Sequence, residues 1–216
     1  MLDEITIIIV HFKTLDYTKK ALNSIRKFYP PIRIILVNNG DDEESKSFLT
    51  GFAHADVNML LLTPGKNLHH GPGMHEAIKQ VSSEWFLTFD SDCEILKNNL
   101  FEDMFQIVDE KTYAVGEILN INKYGFFARK GEESFKYVHP KCGLFNRKIY
   151  WKLPPFEKHG APCITNQFQA QKDNYSLINF PVDDYVHHVQ RGTASIYGYK
   201  LGLKGRLNWI KNKFFS

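Results

Sequence analysis

The 216-residue chain predicts an α/β fold, a mixed and mostly parallel sheet with helices on both faces. Three observations carry this. Short β-branched runs alternate with amphipathic helical segments through the first half. The runs are apolar throughout, as strands covered on both sides are. Several also end in polar or turn-forming residues, and a parallel sheet gathers such ends along one rim, where ligands bind.

The elements follow in order. "ITIIIVHF" from Ile5 is a buried strand, and "DYTKKALNSIRKF" places Ala21, Leu22, Ile25 and Phe28 at helical spacing until Pro30 and Pro31 stop it. "IRIILVNNG" is a second strand closed by a turn signal, "DEESKSFLTGFA" a short helix, "VNMLLLT" a third strand and "GMHEAIKQV" a third helix. "WFLTFDSD" is the fourth strand. Beyond it, "NLFEDMFQIV" reads as a helix, "YAVGEILNIN" as a strand, and "ESFKYVHPKCGLFNRKIYWKL" as a strand entering a short helix before Pro154. "ITNQFQAQK" reads as helical, with strands around "YSLINF" and "DYVHHVQ". No repeat, low-complexity stretch or linker divides the chain. The expected organisation is one domain over 1–195, with halves 1–95 and 96–195, followed by a basic amphipathic tail at 196–216.

Composition narrows the function classes. Hydrophobic residues make up 43% and charged residues 24%, a globular profile. The net charge of +3 is too small to argue for nucleic acid, so no such partner is expected. Cys93, Cys142 and Cys163 are scattered and form no CxxC pair, which suits reduced thiols. The run Ile5–Val10 is too short for a signal peptide and follows Asp3 and Glu4 instead of basic residues. No stretch reaches the ~20 apolar residues of a spanning helix. The expected location is the cytoplasm, or the cytosolic face of a membrane. After Asp184 the chain has no acidic residue, and "YKLGLKGRLNWIKNKFFS" mixes Lys and Arg with large apolar side chains. Such a segment lies in an anionic membrane interface or packs on its own domain.

The chemistry centres on Asp90 and Asp92. Leaving a buried strand together, two carboxylates repel and lose hydration unless a cation or proton offsets the cost. On an extended backbone they share one side, roughly 6–7 Å apart. That arrangement suits Mg2+ or Mn2+ bridging to the oxygens of a diphosphate. The plain alternative is a pair of solvated turn residues.

These residues carry a resemblance. "TIIIVHFKTLDYTKKALNSIRKFYPPIRIILVNNGDDEE" followed by "NLHHGPGMHEAIKQVSSEWFLTFDSDCEI" resembles the nucleotide-sugar-binding half of family 2 glycosyltransferases of the GT-A fold. The likeness is close over residues 5–95 and looser to about residue 195. It implies a metal-dependent glycosyltransferase, inverting, that moves a sugar from a nucleoside-diphosphate sugar to a carbohydrate or lipid-linked acceptor. By that likeness Asp90 lies near ribose and metal, Asp92 binds the metal, and His187 completes the shell, with His188 its neighbour. Phe12, Asn38 and Asn39 would hold base and ribose. Lys66, Gly71 and Arg191 would lie near the donor's phosphates. The family usually has an Asp in the second-strand turn, where this chain has Asn38-Asn39. The base that deprotonates the acceptor usually sits in an acidic pair, which "KLPPFEKHGAPCITNQF" lacks. Glu157 and His159 are its nearest replacements, with Asp173 more distant. A nucleotidyltransferase shares the α/β plan, but "HFKTLDYTKK" lacks the glycines of its signature loop. A non-catalytic nucleotide- or glycan-binding domain is the third reading, motivated by the missing base.

Overall fold

The structure, a computed structural model, describes residues 2–157 and 160–189. Strand β1 (Ile5–His11), helix α1 (Leu15–Phe28), strand β2 (Arg33–Asn38), helix α2 (Glu43–Ala55) and strand β3 (Met59–Leu62) follow one another as the sequence pattern predicts. Helix α3 (His70–Ile78) and strand β4 (Trp85–Phe89) complete the regular half. Strands β1, β2, β3 and β4 pair in parallel, β1 lying between β2 and β4. Every residue of β4 is buried, as its unbroken apolar run requires.

The second half is irregular, as expected. It contains β5 (Cys93–Ile95), α4 (Leu100–Phe105), β6 (Thr112–Ile121), β7 (Phe135–Asn146), α5 (Arg147–Tyr150), α6 (Ile164–Lys172), β8 (Ser176–Asn179) and β9 (Val186–His188). The main sheet runs β3-β2-β1-β4-β7-β6-β8. Only β7 is antiparallel to its neighbours, so the sheet is mixed and mostly parallel.

Two apolar layers sandwich this sheet. Ile5, Ile7, Ile9, Ile34 and Leu36 meet Leu22 and Ile25 of α1, Leu49 of α2 and Phe101 of α4 on one face. Ile8, Ile35 and Val37 meet Met74 and Ile78 of α3 on the other, with Tyr150 of α5 and Ile164 of α6. The alternation along β1 and β2 is the period-two consequence of strand geometry. Capping fixes α2, because the Asp42 carboxylate accepts from the Ser45 backbone N–H at 2.8 Å.

Two expectations are corrected here. Helix α3 begins at His70, three residues before the glycine expected to open it, because its first turn tolerates Pro72, whose missing N–H is not needed there. Strand β4 ends at Phe89 and does not run extended through Asp92. Asp90 to Cys93 forms a tight turn, closed by the Cys93 N–H donating to the Asp90 carbonyl at 3.0 Å. The chain then enters β5, which pairs with β9 in a separate two-stranded sheet. The three cysteines are free and buried. Among the described residues no helix is long and apolar enough to cross a membrane. His159, Arg191 and the tail at 196–216 lie outside the described residues.

Candidate active site

The ends of β1, β2 and β4 converge on one rim, with the first turn of α3 and the β5–β9 ribbon beside them. Asp90 leaves the centre of the sheet there, its backbone N–H donating to the Lys141 carbonyl of β7 at 2.8 Å. Its carboxylate lies 3.3 Å from His70 Nε2, at the start of α3. Burial alone would raise the Asp90 pKa. The hydrogen bond and charge of His70, with His139 and His188 nearby, outweigh burial and lower it to about 2. Asp90 is therefore ionised at any physiological pH.

Asp92 sits deeper, 8% exposed, and faces a second imidazole. His188 Nε2 lies 3.4 Å from Asp92 Oδ1. The hydrogen bond to Asp92 raises the His188 pKa against the opposing effect of burial. The resemblance pointed to His187 as the third metal ligand; in the structure it is the adjacent His188 whose ring lies beside Asp92. His187 is exposed and pairs across the ribbon with Glu94, whereas His188 lies opposite Cys93 and turns inward. A one-residue step along a strand reverses the face, so only one of two adjacent histidines can reach the site.

Asp92, Cys93 and His188 place ligand atoms within 4.8 Å of one another. The Cys93 thiol donates instead to the Lys141 carbonyl at 3.6 Å, and burial pushes its pKa well up, so it stays protonated. An Asp92 carboxylate oxygen and an imidazole nitrogen from His188 remain there, with the Asp90 carboxylate, paired to His70, on the same turn but outside that group. This donor set fits Mn2+ or Mg2+, with phosphate oxygens and water to complete the shell.

Asparagines at the end of β2 shape the rim. Asn38 accepts the Gly40 N–H at 3.0 Å and closes its own turn. Asn39 donates to the His69 carbonyl at 3.1 Å and accepts from the Leu68 N–H at 3.4 Å. Its amide thus clamps the loop that presents His70. Gly73 permits this approach, since a Cβ there would stand 3.0 Å from Asn39 Nδ2. Two non-glycine residues, Lys13 and His69, take positive φ values of 60° and 66° on this rim. Strained backbone of this kind concentrates at functional sites. Phe12 is half-buried at the end of β1, beside the Lys13–Asp41 ion pair of 2.8 Å.

Other expected residues lie further out. Gly71 is buried in the first turn of α3, and Lys66 is exposed on the preceding loop. Glu157 is exposed ahead of α6, its N–H donating to the Pro162 carbonyl at 3.3 Å. In the segment that lacks an acidic pair, Asn166 and Gln167 are structural. Asn166 bridges Tyr113 and the Pro154 carbonyl, and Gln167 bonds both backbone groups of Val138.

Sequence reasoning missed the cluster behind Asp90. Lys141, 6% exposed, holds Glu117 and Asp183 at 2.7 Å each. Burial would lower its pKa, and the two carboxylates reverse that and raise it. His139 accepts the Lys141 N–H at Nδ1, 3.2 Å away. Its neutral ring therefore carries the proton on Nε2. The available signal was a lysine and a histidine two apart inside a buried strand, where charges are found only when paired.

A carboxylate pair stands at the end of the central strand, on the carboxyl rim of an open α/β sheet, where such sheets bind their ligands. The chain belongs to glycosyl transferase family 2, whose model matches residues 6–179. No curated protein sequence matches the chain. Solved structures share the fold at low identity, and they are GT-A glycosyltransferases. The mannosyltransferase PcManGT from Pyrobaculum calidifontis, in complex with GDP-Man and Mn2+, is 14% identical with a TM-score of 0.63. That match covers 82% of this chain and 55% of the other. TarS 1-349 from S. aureus in complex with UDP-GlcNAc is 16% identical with a TM-score of 0.60, over 85% of this chain and 57% of that one. GalNAc-T7 with UDP, GalNAc and Mn2+ is 10% identical with a TM-score of 0.67, over 85% and 42%. The chain thus spans little more than half the length of the first two.

Proposed function

We propose that the protein transfers a sugar from a nucleoside-diphosphate donor to a carbohydrate or lipid-linked acceptor, with inversion and with Mn2+ or Mg2+. The observation that supports it most directly is the Asp90–Cys93 turn, which sets two carboxylates at the end of the central strand and meets His188 from β9. Asp90, Asp92 and His188 would hold the cation, which when bound offsets charge on the departing diphosphate. His70 keeps Asp90 ionised and oriented. Phe12 and Asn38 border the space for base and ribose, and Asn39 holds the α3 loop in place. Lys66, Gly71 and Arg191 are assigned to the phosphates. Glu157, with His159 beside it in sequence, is assigned to accept the acceptor's proton.

The test is a thermal-shift panel of UDP, GDP and their sugars, with and without Mn2+. The right pair raises Tm by linkage, since only the folded state binds. Asp92→Asn abolishes the Mn2+-dependent part of that rise. An undiminished rise in the variant overturns the metal assignment.

A further inference from the structure

The β6–β7 hairpin overshoots the site. Phe89 of β4 lies opposite Cys142, yet β7 goes on pairing with β6 as far as Phe135. The register shifts between Gly116 and Ile118, and the ladder beyond it, Ile118 to Ile121 against Val138 to Phe135, carries the hairpin roughly 13 Å past the carboxyl rim at the usual strand rise. Its tip is closed on itself. Asn122 Oδ1 accepts from the Tyr124 and Phe126 N–H groups at 3.0 and 3.2 Å, and its Nδ2 donates to Glu132 at 3.0 Å. Glu132 also accepts the Arg129 N–H at 3.0 Å.

On this frame Tyr124 is 69%, Phe126 41% and Phe127 72% exposed. Among the described residues the other large exposed hydrophobics, Val57, Leu96, Ile107 and Trp151, are scattered along the sequence. Lys123, Arg129 and Lys130 are exposed around the aromatic tip, and Lys136 and Lys172 flank its root. Of the acidic neighbours Glu132 and Glu133, the first is engaged in holding the loop together. The balance at the tip is positive.

We infer that this hairpin tip docks on an anionic lipid surface, Tyr124, Phe126 and Phe127 entering the interface while Lys123, Arg129 and Lys130 meet the headgroups. Projecting aromatics ringed by long cations match the amphipathic requirement of that interface. Lys123 Nζ sits 5.2 Å from the Tyr124 ring centroid, so a cation stands beside the aromatic tip as an anionic interface requires. The tip leaves the same sheet edge as Asp90 and Asp92, so docking turns that rim toward the bilayer. The surface stands independently of the sugar-transfer assignment.

The full chain is sedimented with phosphatidylcholine vesicles with and without phosphatidylserine. Pelleting that depends on phosphatidylserine and weakens with salt is expected. Tyr124→Ser with Phe127→Ser weakens it about tenfold or more, and Lys130→Ala about fivefold, with melting temperature unchanged. Independently, Phe127→Trp gives a blue-shifted emission on anionic vesicles and none with soluble glycans. Unchanged pelleting of the serine variant overturns the proposal, since the C-terminal tail or another surface then carries binding. So do a folded wild type that does not pellet, a blue shift with glycans alone, and a dimer that the serine variant dissolves. Asp92→Asn keeps vesicle binding, which separates this result from the fate of the donor site.

Discussion

His188 Nε2 lies 3.4 Å from Asp92 Oδ1, brought there by the antiparallel pairing of β9 with β5. Its neighbour His187 is exposed and pairs across the ribbon with Glu94. His188→Ala is expected to weaken apparent Mn2+ affinity at least about tenfold. His187→Ala should change it less than about twofold. Titration of Mn2+ against the nucleotide-dependent thermal shift reads both.

His11 sets an acid limit on stability. The ring is fully buried, with Nδ1 2.8 Å from Thr18 Oγ1 and Nε2 without a protein partner. Burial lowers its pKa from 6.5 to about 4, against the smaller opposing effect of Asp42. The unfolded chain therefore binds the proton first, and stability falls as pH drops from 6.5 through 4. The loss approaches about 3 kcal/mol at the acid end. Denaturant midpoints across this window should flatten in His11→Asn relative to wild type. Asp90 contributes below that window, its stabilisation disappearing as pH falls from 3.8 through about 2.

Asn39 holds the α3 loop through both ends of its amide. Asn39→Ala strands the Leu68 N–H and the His69 carbonyl, at a cost of about 1–3 kcal/mol. Asn39→Asp keeps the acceptor but sets a buried carboxylate oxygen against the His69 carbonyl, so it should cost at least as much. Urea unfolding ranks the two, and KM for the donor should rise in the same order.

Glu157→Gln tests the proton-accepting role. Turnover is expected to fall about 100-fold or more while the nucleotide-dependent thermal shift is unchanged. Glu117→Gln provides the contrast. It leaves the buried Lys141 ammonium with the exposed Asp183 alone and should lower melting temperature, since a buried charge loses its better-shielded partner. If Glu117→Gln stops turnover at full stability and Glu157→Gln does not, the base is Glu117.

The pattern of the sheet was legible because buried parallel strands are apolar runs and surface helices repeat every three to four residues. The order and class of the elements follow from that, as does the placement of Asp90 and Asp92 at the end of the fourth strand. The path of the chain after Phe89 was not legible. Whether a polar tripeptide continues a strand or turns depends on long-range partners, here β9 pairing with β5. The same pairing selects His188 over His187. The Lys141 cluster was hidden for a related reason, because Glu117 and Asp183 come from β6 and a 3-10 turn distant in sequence.

By itself the sequence determined an α/β sheet, the rim where polar residues gather, and a carboxylate pair at its centre, since these follow from local periodicity. Only the tertiary structure decided which histidines face those carboxylates, that Asn39 is a clamp, and that the β6–β7 hairpin reaches past the rim. Each of these rests on pairing between distant segments, and strand register, unlike strand propensity, is set by the partner as much as by the strand itself.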